Sequence, residues 1–406
     1  MHTTYVVIGS SAAGTAALST LKRLKPHSTI ICITKNKSVD YNTCLLASYV
    51  AQEKTLNDIA LLNPDIMWHR GKVVTQINRQ DKCVMLSTGE TIAYDYLLLT
   101  LGTQVHKQDY SRYTLTHEKV RGIENFYTLE DAENIKEFIK QFTVTTAVVV
   151  GAGLTGIECA DALVKLGIEV TLIEKSTRLL PKLLDTDSAL WLAEQLAVAS
   201  PKIRIITDDT VKDICHKHSR VTKVIMGSGS VINTQLVVFA LGGKPAVTLA
   251  QQAGLAIDQG IKVDSCFKTQ DAHIYAAGDC ALVKNKITRE PVLSCTWPDA
   301  IIQGMLAAYA MTGQSKVYPG ITPLYTSQFF GIPFACLGEK AHTTSVVYSG
   351  VKAGVPYYYS FFLDTDKKIT GSVLLGSREY MSKVKKIIET QESFEPLKTE
   401  LDKDLC

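Results

Sequence analysis

Two glycine-rich turns, Gly9-Ser10-Ser11-Ala12-Ala13-Gly14 and Gly151-Ala152-Gly153-Leu154-Thr155-Gly156, each follow a short apolar, β-branched run, and they constrain this chain more than any other feature. A strand that feeds such a turn (Tyr5 to Ile8; Val148 to Val150) uses glycine for tight geometry and lets backbone N–H groups reach a pyrophosphate. The helix that follows presents its positive N-terminus to the same anion. The second turn is complete. Glu174 lies 23 residues beyond Gly151, at the end of the run Glu169-Val170-Thr171-Leu172-Ile173, where a carboxylate accepts hydrogen bonds from an adenosine ribose. In the first turn Ser11 replaces the central glycine, and Thr34 stands where the ribose-binding acid is expected. The bland alternative, a helix merely packed on a strand, therefore weighs more on the first turn than on the second. A late Tyr275-Ala276-Ala277-Gly278-Asp279 completes the set.

At 406 residues the chain is long enough for two or three domains. Its 43 basic and 40 acidic residues give a net charge of +3 with no basic stripe interleaved with aromatics, which argues against a nucleic-acid surface. No run approaches the roughly 18 apolar residues of a spanning helix, and the first strand begins by Tyr5, so neither membrane span nor signal peptide is expected and the cytoplasm is the expected compartment. The ten cysteines include no CxxC pair, which disfavours a disulfide framework, a zinc site or an iron–sulfur site, so no metal is expected. Cys215-His216-Lys217-His218 reads as a solvated loop between strands, and Cys406 as a stray terminal thiol.

Periodicity predicts strand, helix and strand over residues 4 to 34 and a strand at Tyr96 to Thr100 closing on Gly102. After a polar stretch from Thr103 to Gly122 and a helix from near Glu130, a second strand–turn–helix–strand unit occupies 146 to 174. Its far end is the apolar run Leu236 to Leu241, where Gly242-Gly243-Lys244-Pro245 forms a turn back to the first domain. A helix is predicted over Trp297 to Met311. From Tyr318 the texture becomes β-rich (Cys336 to Tyr348, Tyr357 to Leu363, Ile369 to Leu375), with a helix at Arg378 to Ile388 and a frayed, charged end from Gln391. The expected fold is α/β: two Rossmann-like nucleotide-binding domains, the second inserted in the first, plus a C-terminal α+β interface domain. Boundaries are placed at 1–112 with 243–317, at 113–242, and at 318–406.

These residues resemble the pyridine nucleotide-disulfide oxidoreductase superfamily over nearly the whole chain. The resemblance is carried by the two turns, by Thr100-Leu101-Gly102-Thr103, by Phe239-Ala240-Leu241-Gly242 and by Ile274 to Cys280. Tyr41-Asn42-Thr43-Cys44-Leu45-Leu46 and the segment Trp297 to Gly304 are most similar to NADH-dependent rubredoxin reductases and nitrite reductase-related flavoproteins. The resemblance implies FAD on the first turn (Gly9, Ser11, Ala12, Ala13, Gly14, with Thr100 and Gly102) and a nicotinamide cofactor on the second (Gly151, Gly153, Leu154, Gly156, with Gly242). It further implies that Asp279, after Gly278, binds the ribityl or pyrophosphate region and that Trp297 lies near the flavin. Read without the resemblance, Asp279 is a helix N-cap and Trp297 a core aromatic.

Glu174 decides the coenzyme: a carboxylate accepts from a free 2′-hydroxyl and repels a 2′-phosphate, so NADH is expected over NADPH, with Lys175 and Arg178 near enough to soften the preference. Glu158 is expected near the nicotinamide by resemblance, or else complements the helix dipole from the first turn. The lysine that pairs with such a glutamate in oxygenase-coupled ferredoxin reductases would fall near Ser48, so no ion pair is carried over. Cys44 lies over the element that holds a redox-active thiol in single-cysteine members, although Leu45 replaces their glycine; a packing role is the alternative. The flavin peroxidases and water-forming oxidases carry a histidine where this chain has Ala12, which disfavours peroxidase chemistry.

What the resemblance implies is an FAD-dependent NADH oxidoreductase that passes electrons to rubredoxin or another small redox protein, as a monomer or homodimer. Two alternatives stand beside it. One is a single-cysteine NADH oxidase or coenzyme A disulfide reductase acting on a small-molecule acceptor through Cys44; the other is a non-catalytic NADH-responsive flavoprotein.

Overall fold

Thr4–Ile8 (β1) is buried on both faces: Tyr5 and Val7 pack with the helical residues Ala17, Leu18 and Leu21, and Val6 and Ile8 with the antiparallel strands Val74–Asn78 and Cys83–Leu86. It forms the centre of a five-stranded parallel sheet in the order Ile274–Ala276, Tyr96–Leu99, β1, Thr29–Thr34 (β2), Met67–Arg70. Between its first two strands in sequence runs Ala12–Leu24 (α1), whose face of Ala13, Ala17, Leu18 and Leu21 is buried. The computed structural model describes residues 3–105, 120–340 and 344–405. The boundary expected at 112/113 and Cys406 lie outside these.

A second five-stranded parallel sheet repeats the plan: Ile203–Ile206, Glu169–Ile173, Thr146–Val150, Leu236–Phe239, Ile123–Asn125. We call Thr146–Val150 β3, the helix Leu154–Lys165 α2, and Glu169–Ile173 β4. The described residues group into two compact units, 3–44, 56–105 and 243–321 in one, and 45–55, 120–242, 322–340 and 344–405 in the other. Each unit carries one of the parallel sheets. The second also holds a five-stranded antiparallel sheet formed by Leu324–Phe329, Ile332–Gly338, Ile369–Leu375, Val355–Leu363 and Thr344–Lys352 in that spatial order.

Four local expectations are corrected. Gly243–Pro245 is not only a turn: it pairs antiparallel with Thr103–Val105 as a two-stranded ribbon. Cys215 and His216 are not in a loop but in the strand Val211–Lys217, where Ile214 is buried and the polar residues lie on more open positions. The helix expected from Arg378 begins at Met381. Most clearly, the charged end does not fray. Glu395–Leu405 is a helix anchored by buried Leu397 and Leu401, and the Tyr348 hydroxyl donates to Asp402 at 2.6 Å and the Tyr380 hydroxyl to Asp404 at 2.8 Å. Two leucines four residues apart bury one stripe of an otherwise charged helix.

The helix Trp297–Met311 (α3) starts and ends where the pattern places it, with Pro298 in its first turn, where a missing N–H costs nothing. It crosses α1 closely: a Cβ on Gly304 would lie 2.0 Å from the Ala13 carbonyl oxygen. Among the described residues no helix is long and apolar enough to cross a membrane.

Candidate functional site

The two turns have nearly superposable local geometry. Gly9 and Gly151 have φ of +105° and +104°, a region that L side chains rarely adopt. Their amides continue the sheet, Gly9 donating to Ile33 at 2.9 Å and Gly151 to Ile173 at 2.7 Å. A Cβ on Gly9 would meet the Thr100 carbonyl oxygen at 2.2 Å, and one on Gly151 the Ala240 carbonyl oxygen at 2.7 Å. Gly14 and Gly156 let each helix pack onto its turn, since a Cβ there would lie 2.1 Å from the Gly9 oxygen and 1.8 Å from the Gly151 oxygen. The Thr100 hydroxyl fastens the first turn further, its single proton facing the carbonyls of Ile8 at 2.9 Å and Gly9 at 3.1 Å.

Ser11 and Gly153 are the N-caps of α1 and α2, and neither makes a side-chain cap hydrogen bond. The first amides of each helix are thus left for an outside acceptor. Nothing lies within 4 Å of a Cβ built on Gly153, which is the open cradle a pyrophosphate needs; at Ser11 an exposed side chain enters the equivalent space. The residues present fit a dinucleotide in both units.

The acids differ. Glu174 is 7% exposed, and its carboxylate accepts from the Ala152 N–H at 2.8 Å and the Ser176 N–H at 2.9 Å, one on each oxygen. It is held at the turn with a lone pair still available on each oxygen. Arg178, which could favour a 2′-phosphate, is committed elsewhere: its guanidinium donates to the carbonyls of Leu184 at 3.2 Å and Pro181 at 3.3 Å. At the first turn Thr34 occupies the position of Glu174 and is 4% exposed. There the carboxylate comes from Asp40, fully buried, which accepts from the Ser10 hydroxyl and from Asn36 Nδ2 at 2.9 Å and pairs with Arg70 at 2.9 Å. Sequence reasoning missed Asp40, because it lies six residues beyond β2 in an irregular stretch with no motif around it.

Asp279 follows Gly278 (φ +78°) and precedes the strand Ala281–Lys284, so it is not a helix N-cap. Burial alone pushes its carboxyl up to about 6. The Gly278 N–H donates to Gln303 Oε1 at 2.9 Å, tying this turn to α3. At the start of α3, Trp297 is half-buried and packs against the core of the first unit, while the Thr296 hydroxyl donates to Asp299 at 2.7 Å.

Glu158 is corrected in one respect. The helix α2 begins at Leu154, so Glu158 sits beyond its first turn, and it accepts from the Ser327 hydroxyl at 2.6 Å. Burial pushes its carboxyl above the usual range, the Ser327 hydrogen bond opposes this, and Asp161 adds to it. Asp161 is likewise raised by burial and eased by Lys165, 3.4 Å away, which also pairs with Glu53 at 2.8 Å. Cys44 lies on the 3₁₀ turn Thr43–Leu45 with its amide donating to Asn42 Oδ1 at 3.0 Å; it is exposed, so it fills no core position. Among the described residues no group of three or more His, Cys, Asp or Glu is placed to hold a metal ion.

Two parallel sheets, one in each unit and each with a glycine turn at the carboxyl end of its central strand, define a fold with two dinucleotide cradles. A family model described as pyridine nucleotide-disulphide oxidoreductase matches residues 3–304, and the chain belongs to that family of NAD(P)H-dependent flavoprotein oxidoreductases, which bind FAD and NAD(P)H. The NADH oxidase of Methanocaldococcus jannaschii is 27% identical over 411 residues, covering 93% of this chain and 89% of the relative. Rubredoxin-NAD(+) reductase of Pseudomonas putida is 26% identical over 340 residues, covering 82% and 86%. Among solved structures, a NAD-dependent persulfide reductase from A. fulgidus matches with a TM-score of 0.88 at 25% identity, covering 97% of this chain and 78% of that one.

Proposed function

We propose that the chain is an NADH-preferring, FAD-dependent electron transferase that serves a small redox protein of the rubredoxin kind. The observation that carries the NADH half is the Glu174 carboxylate fixed by the Ala152 and Ser176 amides, with Arg178 held on backbone carbonyls. A 2′-phosphate brought to that carboxylate meets like charge that Arg178 does not compensate, and the exposed Lys175 is the cation left to soften the preference. Gly151, Gly153, Leu154 and Gly156 with Gly242 would hold NADH; Gly9, Ser11, Ala12, Ala13, Gly14, Thr100, Gly102, Gly278 and Asp279 would hold FAD. When bound, the flavin supplies a two-electron acceptor for hydride that can release electrons singly. The protein's part is to hold both cofactors, with Trp297 beside the flavin and Glu158 beside the nicotinamide.

The acceptor assignment is supported by similarity to the P. putida rubredoxin reductase and by Ala12, which offers no imidazole beside the first turn. A second reading is favoured by one observation, the exposure of Cys44. In it the thiol cycles during oxidase or disulfide reductase turnover, and the names of the M. jannaschii and A. fulgidus proteins point the same way. Replacing Cys44 with serine separates the two. The expected outcome is unchanged NADH-driven reduction of rubredoxin; loss of rubredoxin reduction together with loss of coenzyme A disulfide reduction overturns it.

A further inference from the structure

We propose that Asp40 anchors the adenosine ribose of FAD indirectly, through a chain of two hydroxyls, at the place where the second unit uses Glu174 directly. The inference rests on the reading that the first unit binds FAD.

Thr34 and Glu174 hold equivalent positions in the two units. Gly9 donates to Ile33 and Gly151 to Ile173, so Thr34 and Glu174 are the next residues after matching partners, and Ser10 and Ala152 the next residues after matching glycines. In the second unit the turn offers the Ala152 N–H to the acid. In the first it offers the Ser10 side chain. A hydroxyl has one proton to give. The Ser10 proton goes to Asp40, because a carboxylate is the stronger acceptor, so the 2.7 Å contact between Ser10 Oγ and Thr34 Oγ1 has Thr34 as donor. The Asn36 N–H donates to Thr34 Oγ1 at 3.2 Å. One lone pair then remains on Thr34 Oγ1, and the aligned chain Thr34 to Ser10 to Asp40 polarises it as a stronger acceptor than an isolated hydroxyl.

Burial is consistent with this arrangement. Asp40 is 0% exposed and cannot touch a ligand, whereas Thr34 at 4% is placed like Glu174 at 7%. Arg70 compensates the buried charge at 2.9 Å, and its guanidinium lies 4.1 Å from the centre of the Trp68 ring. Arg70 Nη1 is buried without a hydrogen-bond partner, an orphan donor on the same network. Asp40 and Ser10 are therefore positioning residues, and Thr34 is the residue that meets the ribose.

The test is FAD affinity of the deflavinated full-length protein, followed by quenching of flavin fluorescence, for FAD and for its analogue lacking the adenosine 2′-hydroxyl. Asp40→Asn, Ser10→Ala and Thr34→Val are each expected to weaken FAD binding roughly tenfold while barely changing binding of the deoxy analogue, as for loss of one charge-assisted hydrogen bond. Thr34→Glu in the Asp40→Asn background, which moves the acid to the strand end, is expected to restore FAD affinity. Ser10→Ala and Thr34→Val leave the Asp40–Arg70 pair intact, so the comparison is readable even where Asp40→Asn does not fold. Variants that lower the melting temperature but keep the wild-type ratio of FAD to deoxy-FAD affinity overturn the proposal and leave Asp40 a structural ion pair. A wild-type protein that takes up no FAD overturns the underlying reading as well.

Discussion

The first and second nucleotide units share a backbone plan and differ in where they keep their acid. At β3 and β4 the carboxylate is one residue past the strand and is held by main-chain amides, so motif spacing finds it. At β1 and β2 the strand ends in Thr34, and the carboxylate is brought in by the 35–41 segment as a buried ion pair. Within this one chain the two units share their glycines but not the place of their acid, because a Cβ at Gly9, Gly14, Gly151 or Gly156 would collide with a backbone carbonyl, whereas a carboxylate can reach the strand end from more than one segment.

The largest effect is expected at the shared part. Gly156→Ala and Gly14→Ala each force a Cβ within about 2 Å of a turn carbonyl, beyond the roughly 1–3 kcal/mol of ordinary overpacking. Gly14→Ala should be recovered without flavin, and Gly156→Ala should retain flavin yet fail to bind NADH, as read by absorbance and by NADH titration. Loss of flavin from both would break the division of labour between the units.

Next in size is the visible acid. Glu174→Gln removes the charge while keeping the shape, and the ratio of NADH to NADPH efficiency should fall about tenfold, the worth of one hydrogen bond to a charged group. An unchanged ratio would place coenzyme choice elsewhere.

A pH dependence of FAD affinity should mark the first unit. The Asp279 carboxyl is pushed up to about 6 by burial, and a ribityl hydroxyl donating to it favours the charged form and lowers that value on binding. FAD affinity should therefore be full above pH 6 and fall as pH drops through 6, by up to tenfold per unit, in equilibrium dialysis. Asp279→Asn should flatten the profile.

The smallest effect belongs to a charge pair outside either turn. Lys165 and Glu53 lie 2.8 Å apart but are 42% and 45% exposed, so Glu53→Ala should cost about 0–1 kcal/mol in denaturant unfolding and leave both cofactor affinities unchanged.

Legibility of the sequence followed the same division. Glycine spacing and β-branched runs located the central strands of both sheets, both turns and α3, because these patterns are set by backbone geometry that few residues satisfy, whereas the edge strands Met67–Arg70 and Ile123–Asn125 carry no such pattern. The helix Glu395–Leu405 was hidden because two buried leucines among six charged residues give a weak periodic signal. The Val211–Lys217 strand was hidden because its outward positions carry lysine, aspartate and histidine. Asp40 was illegible for a different reason: its role exists only once the loop brings it to Ser10, and no local pattern encodes that contact. Ser327, which holds Glu158, lies 169 residues away in sequence and is likewise a product of tertiary packing.

Anaerobic stopped-flow reduction of the flavin-loaded protein tests the central claim most directly. The two-unit account predicts rapid bleaching of flavin absorbance by NADH and at least tenfold slower bleaching by NADPH at equal concentration. Equal or faster reduction by NADPH, or no reduction by either, would contradict it.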